Sequence, residues 1–503
     1  MPDREVELKL ELGRADGARL ARTLGRLGAT RIGSEVLVSR YFDTEGQTLR
    51  HHDLSLRVRS VGGRHVQTIK AAASKAAGLF DRSEWETEIA GDAPDLRAAE
   101  GTPVPPFIGD TPLRLMFVME IGRTTWRLVT PSTELEIALD TGEIAAGDAV
   151  EKLTELELEL KRGSRWDLFQ FAKTLLEDEK VRIGVRAKSE RGYLLIEGKA
   201  PTWFKAETIR LQPETATAEA FAAIAHACLR HYALNEPRIM ESRDPEALHQ
   251  ARVAIRRLRS VFSLFKSILV DKAAKSQRAF LRELSQLLGW ARNLDVFLAR
   301  HCEGEAFADS SLGRHFAAAR AQAYDRFIET LDAPAFAMRL IDLVAWIECG
   351  SWRNQERKRP RRPIEATAPR ILQRHWDKLR KAEPRLDKMS PSARHKVRIR
   401  AKKLRYGSEF FGQLYARGSS RNKHKLFVQR LARLQDDLGE LNDIETGNRL
   451  MAKLQMDAGS IGEAALAHFA PAQDDARHRS EAQILKDAVA SFARLKETPV
   501  FWD

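Results

Sequence analysis

Cysteine is nearly missing: three residues, Cys228, Cys302 and Cys349, in a chain of 503. So few, at such spacing, make neither a disulfide framework nor a thiolate metal site, and a reducing compartment is the default. Long apolar runs are missing as well. No stretch approaches the roughly eighteen uncharged apolar residues of a membrane span. The start alternates charge from Asp3 to Lys9 and leaves no apolar segment for a signal peptide, so a cytoplasmic protein is expected. Aromatics are 7% of the residues and do not interleave with the basic ones, which weakens a nucleic-acid reading despite a basic balance. A Walker-type phosphate loop, a Cys/His nucleophile signature and zinc spacing are likewise absent from the sequence.

Charge is plentiful and unevenly divided. Residues 1–200 hold 30 Lys and Arg against 33 Asp and Glu, whereas residues 201–503 hold 53 against 37. The surplus lies wholly in the second part and calls for a polyanionic partner there: nucleic acid, acidic membrane or inorganic phosphate chain. The length suits two or three domains. The expected class is α+β multidomain, with residues 1–200 a strand-rich domain, 201–214 a linker and 215–503 helical.

In the first part, Glu5–Leu12, Leu54–Arg59, Gln67–Ala71, Trp126–Thr130, Leu135–Leu139 and Glu155–Lys161 alternate polar and apolar side chains, the period of a strand. Gly62-Gly63 has the form of a tight hairpin turn. Helical patterns cover about Ala15–Leu27 and Trp166–Glu179. On these strands Glu5, Glu7 and Lys9 share one face, as do Arg57 with Arg59, Thr68 with Lys70, Glu155 with Glu157 and Glu159, and Arg186 with Lys188. An open sheet with its charges in water would mix signs along each strand. Here one strand is all carboxylate and another all guanidinium. Gathered carboxylates suit a hard divalent cation such as Mg²⁺ or Mn²⁺, and gathered Arg and Lys suit phosphoryl oxygens. A closed barrel with a charged interior and an apolar exterior would bring both sets together.

The blocks Glu5-x-Glu7-x-Lys9, Leu56-Arg57-Val58-Arg59, Thr68-x-Lys70, Glu155-x-Glu157-x-Glu159-Leu160-Lys161 and Lys188-x-x-x-Gly192 occur in order over residues 1 to 200. This combination resembles the CYTH family of triphosphate tunnel enzymes. The resemblance implies an antiparallel barrel with a basic tunnel that hydrolyses inorganic triphosphate with Mg²⁺ or Mn²⁺. It further implies that Glu5, Glu7, Glu155, Glu157 and Glu159 hold metal, and that Lys9, Arg57, Arg59, Lys70, Arg123, Arg186 and Lys188 hold phosphates. Lys9, Glu5 and Glu7 stand closest to the chemistry. Arg82, Glu84, Glu86 and Arg127 are weaker candidates, as wall residues or surface pairs. An organic triphosphate, cyclase chemistry or a non-catalytic phosphate receptor are the alternatives.

The second part contains a repeat. Asp244-Pro245 and Ser390-Pro391 are matching helix starts, each four to five residues before a histidine, His249 or His395. At the same offset of 146, Arg252, Arg256, Arg257 and Arg259 match Arg398, Lys402, Lys403 and Arg405. Farther on, Leu288-Gly289 and Arg292-Asn293-x-Asp295 match Leu438-Gly439 and Asn442-Asp443-x-Glu445. Two tandem helical bundles, about 215–350 and 351–503, are expected. At about 100° per residue, each His shares an arc of roughly 80° with three basic residues, opposite an apolar face. Two such stripes facing each other would make one cationic groove. The pattern His249-x-x-Arg252-Val253-x-x-Arg256-Arg257-Leu258-Arg259 resembles the CHAD domain, a helical module that binds inorganic polyphosphate. The resemblance implies that all ten of these His, Arg and Lys residues contact the polymer and that the protein associates with polyphosphate granules. Arg353–Arg362 forms a further basic run, read as a solvated loop or a phosphate-contacting arm.

Overall fold

A computed structural model describes residues 3–12, 17–72, 77–177, 180–198, 202–301, 311–353, 358–458 and 480–503. Cys302 and residues 354–357 of the basic run lie outside the described residues. The chain forms two compact units. Unit 1 comprises Met1–Phe204 with Leu229–Pro237 and Thr330–Cys349; unit 2 comprises Lys205–Cys228, Arg238–Glu329 and Gly350–Asp503. Among the described residues no helix is long and apolar enough to cross a membrane.

Unit 1 is built on strands β1 (Asp3–Leu12), β2 (Thr30–Thr44), β3 (Leu54–Val61), β4 (Arg64–Ala72), β5 (Leu79–Ile89), β6 (Leu113–Val129), β7 (Glu134–Ala146) and β8 (Ala149–Arg162). They run β5-β4-β3-β2-β6-β7-β8-β1, and β1 pairs back onto β5, so the antiparallel sheet closes into the expected barrel. A short strand β9 (Val181–Ile183) adds to β1. The β3–β4 hairpin turns through Gly62 and Gly63 at φ 54° and 80°. Two successive positive φ values are what a type I′ turn needs, and glycine takes them without a side-chain clash. The apolar face points outward: Leu56, Val58 and Ile69 pack beneath α2 (Thr48–His51) and α3 (Val104–Ile108).

Around the barrel lie α1 (Gly17–Arg26), α4 (Arg165–Leu175) and α5 (Lys188–Ile196). Ser164 and Asp167 form a reciprocal capping box at the start of α4. Lys188 opens α5, with Ala187 as its N-cap. The expectation of a strand carrying Arg186 and Lys188 on one face is therefore corrected. Gly184 ends the extended backbone by packing against Lys9, where an added Cβ would meet the Lys9 Cβ at 3.1 Å.

Among the described residues the remaining long helices are α6 (Thr217–Ser242), α7 (Pro245–Leu264), α8 (Ala273–His301), α9 (Ser311–Asp332), α10 (Pro334–Cys349), α11 (Ile364–Arg380), α12 (Pro391–Phe410), α13 (Gly418–Ala458) and α14 (Glu481–Lys496). The repeat is visible in the caps. Asp244 accepts from the amides of Glu246 and Ala247, Ser390 accepts from Ala393, and each is followed by proline. The apolar stripe Leu248, Ile255, Leu258 and Phe262 of α7 is buried, as the periodicity requires.

Candidate functional site

The inward faces of the barrel strands enclose a cavity of about 200 Å³. Glu5, Glu7, Lys9, Arg57, Arg59, Lys70, Arg123, Glu157, Glu159 and Lys188 all line it, together with Tyr41, Ser55, Arg82, Glu84, Glu86, Glu136, Lys161 and Ser189. Period-2 alternation is the reason. With Leu8 and Leu10 committed to the outer packing, Glu7 and Lys9 have only the interior to occupy, and both are 3% exposed.

Strand register decides which charges meet. Glu5 stands opposite Arg82, Lys9 opposite Glu157, Lys70 opposite Glu84 and Arg123 opposite Asp140. These cross-strand neighbours form ion pairs. Lys70 donates to both Glu5 oxygens at 2.8 Å and lies 3.0 Å from Glu84; Arg123 holds Asp140 in a fork at 2.7 and 2.6 Å and reaches Glu157 at 2.6 Å. Glu157 is the hub, bonded also to Lys9 and, at 2.5 Å, to Lys188. Burial alone would raise these carboxylates. Lys70 and Arg82 nevertheless hold Glu5 at about 2, and Lys188, Lys9 and Arg123 hold Glu157 well below the usual range.

Two places break the alternation of sign. On β1, β8 and β7, Glu7 faces Glu159 and Glu159 faces Glu136, three carboxylates side by side across the sheet. Burial, Glu5 and Glu136 all push Glu159 upward, against the pull of Lys161 at 2.7 Å. On β3, Arg57 and Arg59 face uncharged Tyr41, Ser39, Thr68 and Val66. Arg57 comes no nearer than 3.9 Å to Glu84 and Glu86. Arg59, lowered to about 10 by burial, Arg57 and Arg123, touches Ser39 at 3.4 Å. The cavity thus has an acidic stretch and a cationic stretch in which Tyr41, Glu84 and Glu86 outweigh burial at Arg57 while Arg59 is left undercompensated.

The donor set suits a hard divalent cation in kind: oxygen ligands only, in excess at Glu7, Glu159 and Glu136, with the repulsion on Glu159 that such an ion relieves. As the side chains stand, no three acidic or imidazole groups among the described residues converge on one point. Glu5 and Glu7 are occupied by Lys70, Arg82 and Lys9 instead.

Other candidates sit elsewhere. Glu155, 1% exposed, is not on the cavity wall and forms ion pairs with Lys188 of the wall and with Arg191, each at 3.1 Å. Arg186 is half-buried off the wall, lowered by burial and Arg191. Arg127 faces out and pairs with Glu134. Sequence reasoning missed Asp140, Glu136 and Tyr41. The first two continue the alternation of Leu135–Leu139 by position; uncharged Tyr41 gave no signal.

In unit 2 the two basic helices meet: Arg256 donates to the Tyr406 hydroxyl at 2.8 Å. Arg252 donates to the Gly289 carbonyl at 3.0 Å and to Asn293 at 3.2 Å, and in the second copy Arg398 lies against Gly439, where an added Cβ would be 3.7 Å away. Burial, then Arg256, Arg398, Arg252 and Arg405, lower Lys402 to about 6. Burial with Arg292, Arg256 and Arg252 lowers His249 to about 4, Glu246 opposing. Cations of both repeats therefore crowd one place. His395 is exposed and pairs with Asn442. Arg257, Arg259 and Lys403 turn to other neighbours: Glu409 for Arg257, Ser285 and Arg282 for Arg259, and Arg259, Lys378 and Arg400 for Lys403. Arg353 of the basic run bonds Glu219 at 2.6 Å.

Unit 1 is a closed barrel with a charged interior, and unit 2 is a duplicated helical module whose two basic helices meet. The chain carries a CYTH domain over residues 3–193 and a CHAD domain over residues 223–452. Among curated relatives, the inorganic triphosphatase of Haemophilus influenzae is 29% identical over 194 residues, 38% of this chain; the match spans 54% of that relative's length. Among solved structures, the CHAD domain of the plant Ricinus communis is 27% identical, covering 58% of this chain and 96% of that one at a TM-score of 0.48. The putative adenylyl cyclase HpAC1 of Hippeastrum, described as having a dominant triphosphatase activity, is 17% identical, covering 39% and 96% at a TM-score of 0.30.

Proposed function

We propose that unit 1 hydrolyses inorganic triphosphate with the help of Mg²⁺ or Mn²⁺, and that the crowded cations of unit 2 bind inorganic polyphosphate. The observation that carries the first reading is the division of one enclosed cavity into an acidic stretch and the Arg57–Arg59 stretch, whose Arg59 is undercompensated. A chain of phosphates bearing a divalent cation complements both at once. Phosphoryl transfer needs positioning and charge neutralisation more than covalent chemistry. Arg57 and Arg59 would fork the phosphoryl oxygens, while Lys9, Arg123 and Lys188, fixed in place by Glu157, would neutralise charge as it shifts to the leaving oxygen. Glu7 and Glu159, with Glu5 and Glu136 beside them, would hold the cation. When bound there, the ion supplies Lewis-acid polarisation of phosphoryl oxygens and acidifies water.

An organic triphosphate fits less well. Among the described residues Tyr41 is the one aromatic on the wall, and the cavity is smaller than the roughly 300–1,000 Å³ common for drug-sized ligands. Phosphate release from a panel of inorganic, nucleoside and thiamine triphosphates, with each metal, tests the assignment; preference for a nucleotide would overturn it. Glu7→Ala and Lys9→Ala should abolish release while polyphosphate binding survives.

In unit 2, His249, Arg252, Arg256, Arg398, Lys402 and Arg405 are the polymer contacts this reading favours, since burial and the crowded guanidiniums hold His249 and Lys402 back from charging until an anion arrives. Competition at fixed salt decides between polymers. Long-chain polyphosphate should displace DNA at far lower concentration than the reverse, and equal displacement would favour a nucleic-acid role.

A further inference from the structure

The barrel interior changes character from one end to the other. One end gathers the N-termini of β1, β2, β4 and β7 with the C-termini of β3, β5, β6 and β8. There the wall residues Glu86 and Lys161 keep 52% and 42% of their side chains exposed, which marks a mouth. Toward the opposite end, three neighbouring strands switch from charged to apolar in step. The inward row Arg123–Asp140–Glu155 is followed by Ile121–Gly142–Leu153, and then by Met119 facing Ile144. These apolar side chains join Phe117 and Tyr193 in one buried cluster that fills the barrel at this end.

Helix α5 covers the plug. Tyr193 sets its ring edge-on to Phe117 at 5.4 Å, and its hydroxyl donates to buried Asp43 at 2.7 Å. Arg191 ties the helix to Glu11 of β1 at 2.5 Å and to Glu151 of β8 at 2.7 Å. The first turn of the same helix faces the other way: Ala187, Lys188 and Ser189 line the cavity. Lys188 is held there by Asp140 at 2.8 Å and Glu157 at 2.5 Å. A close-packed apolar plug offers a phosphate chain neither room nor hydrogen bonds, so charged groups stop above it.

We propose that the cavity is blind, with the first turn of α5 as its floor, and that unit 1 takes phosphate chains by their ends. This rests on the reading of unit 1 as a triphosphate hydrolase and extends it to longer chains. In a channel open at both ends a polymer could thread through and be cut anywhere. Among the described residues the plug forbids threading, so an internal bridge does not reach the wall cations while a terminus does. The terminal group also carries more charge than an internal one, and it would meet Lys188 with the free amides of the first helical turn. Each hydrolysis then trims one end. The oxygen of water bonds to phosphorus, the bridging P–O bond breaks, and its electron pair stays on the bridging oxygen. The protons of water pass to the products and the buffer, leaving one short phosphate and a chain shortened by that much.

The test uses the full chain with Mg²⁺ and three substrates: linear triphosphate, long polyphosphate of narrow length distribution, and the same polymer with both ends blocked as bulky phosphoramidates. On gels the free-ended polymer should shorten gradually and release only short phosphates, and blocking should cut the initial rate by about tenfold or more. Mid-length fragments early in the reaction, equal rates for blocked and free polymer, or an untouched free-ended polymer beside hydrolysed triphosphate would each overturn the inference while leaving the triphosphatase reading intact. Failure to hydrolyse triphosphate itself overturns that reading and this inference with it. Ser189→Glu probes the floor directly. An acidic residue suits the first turn of a helix, so the fold should hold. Its charge should raise the KM for triphosphate by about tenfold or more, the range of a charged hydrogen bond, while Ser189→Gln stays within about threefold. A KM unchanged in Ser189→Glu would mean that chains stop short of α5, and it too overturns the proposal.

Discussion

Arg59 and Glu157 sit in the same cavity and should respond in opposite ways to removal of their charge. Arg59 is pressed by burial and by Arg57 and Arg123, and its contact is the Ser39 hydroxyl. Arg59→Gln removes repulsion the folded state now carries, so melting temperature should hold or rise. The KM for triphosphate should climb by about 10- to 100-fold, since charge-assisted hydrogen bonds to phosphate contribute roughly 1.5–3 kcal/mol. Glu157→Gln has the reverse profile. It leaves Lys9, Arg123 and Lys188 buried around a neutral amide, and breaking a buried ion pair costs about 3–5 kcal/mol. Urea unfolding should show that loss together with a collapse of turnover. A Glu157→Gln protein as stable as wild type would mean the three cations find other partners.

At the scale of elements, α5 and α12 give the sharpest cases. Lys188 belongs to the Lys188-x-x-x-Gly192 pattern, and the glycine has a steric reason. A Cβ at Gly192 would lie 2.2 Å from the Phe117 ring, which stacks on Tyr41 of the cavity wall at a centroid distance of 4.6 Å. Gly192→Ala should therefore cost about 1–3 kcal/mol in thermal or urea unfolding through forced repacking. On α12, Lys402 is lowered to about 6 in the free protein. A bound anion favours the charged ammonium and returns its pKa toward 10.5, so binding takes up a proton between about pH 6 and 10. Polyphosphate affinity should rise as pH falls through that window. Calorimetry in buffers of different ionisation enthalpy should register net proton uptake at pH 8, absent in Lys402→Gln. The elements that carried these side chains were legible where period or cap chemistry was strong: β1, β3, β8 and the Asp244-Pro245 and Ser390-Pro391 starts. Strand β2 is not legible, because Thr30–Thr44 mixes both signs with short apolar runs such as Val36-Leu37-Val38 and has no clean alternation. Lys188 was placed on a strand because Arg186 and Lys188 are two apart, and nothing local says that the chain has already left β9.

For the whole molecule, composition divided the chain near residue 200, but compactness does not follow the chain so simply. Unit 1 includes Leu229–Pro237 of α6 and Thr330–Cys349, which contains α10. α10 packs on α4 and β9. Arg165 bonds Glu348, and Lys173 reaches Asp342 at 2.6 Å. Asn235 accepts from the Phe204 amide at 2.9 Å and donates to its carbonyl at 3.0 Å. Arg230, 2% exposed, bonds the Val185 carbonyl and Glu190, on either side of Lys188. No sequence pattern announces such long-range contacts, because periodicity reports which face of an element is buried and not what covers it. They do make a prediction about truncation. A fragment of residues 1–204 keeps every barrel strand and every candidate cavity residue, yet bares the apolar surface under α10 and leaves Glu190 and the Val185 carbonyl without Arg230. Its melting temperature should fall at least about 5 °C below that of the barrel transition in the full chain, the shift of roughly 2 kcal/mol in a unit this size. Its triphosphatase activity should fall more steeply with temperature as the support for Lys188 loosens. Co-folding with a separate helix spanning 330–349 should restore part of the loss if packing is the cause. A fragment that melts with the full chain would show that the barrel closes and holds its charges unaided.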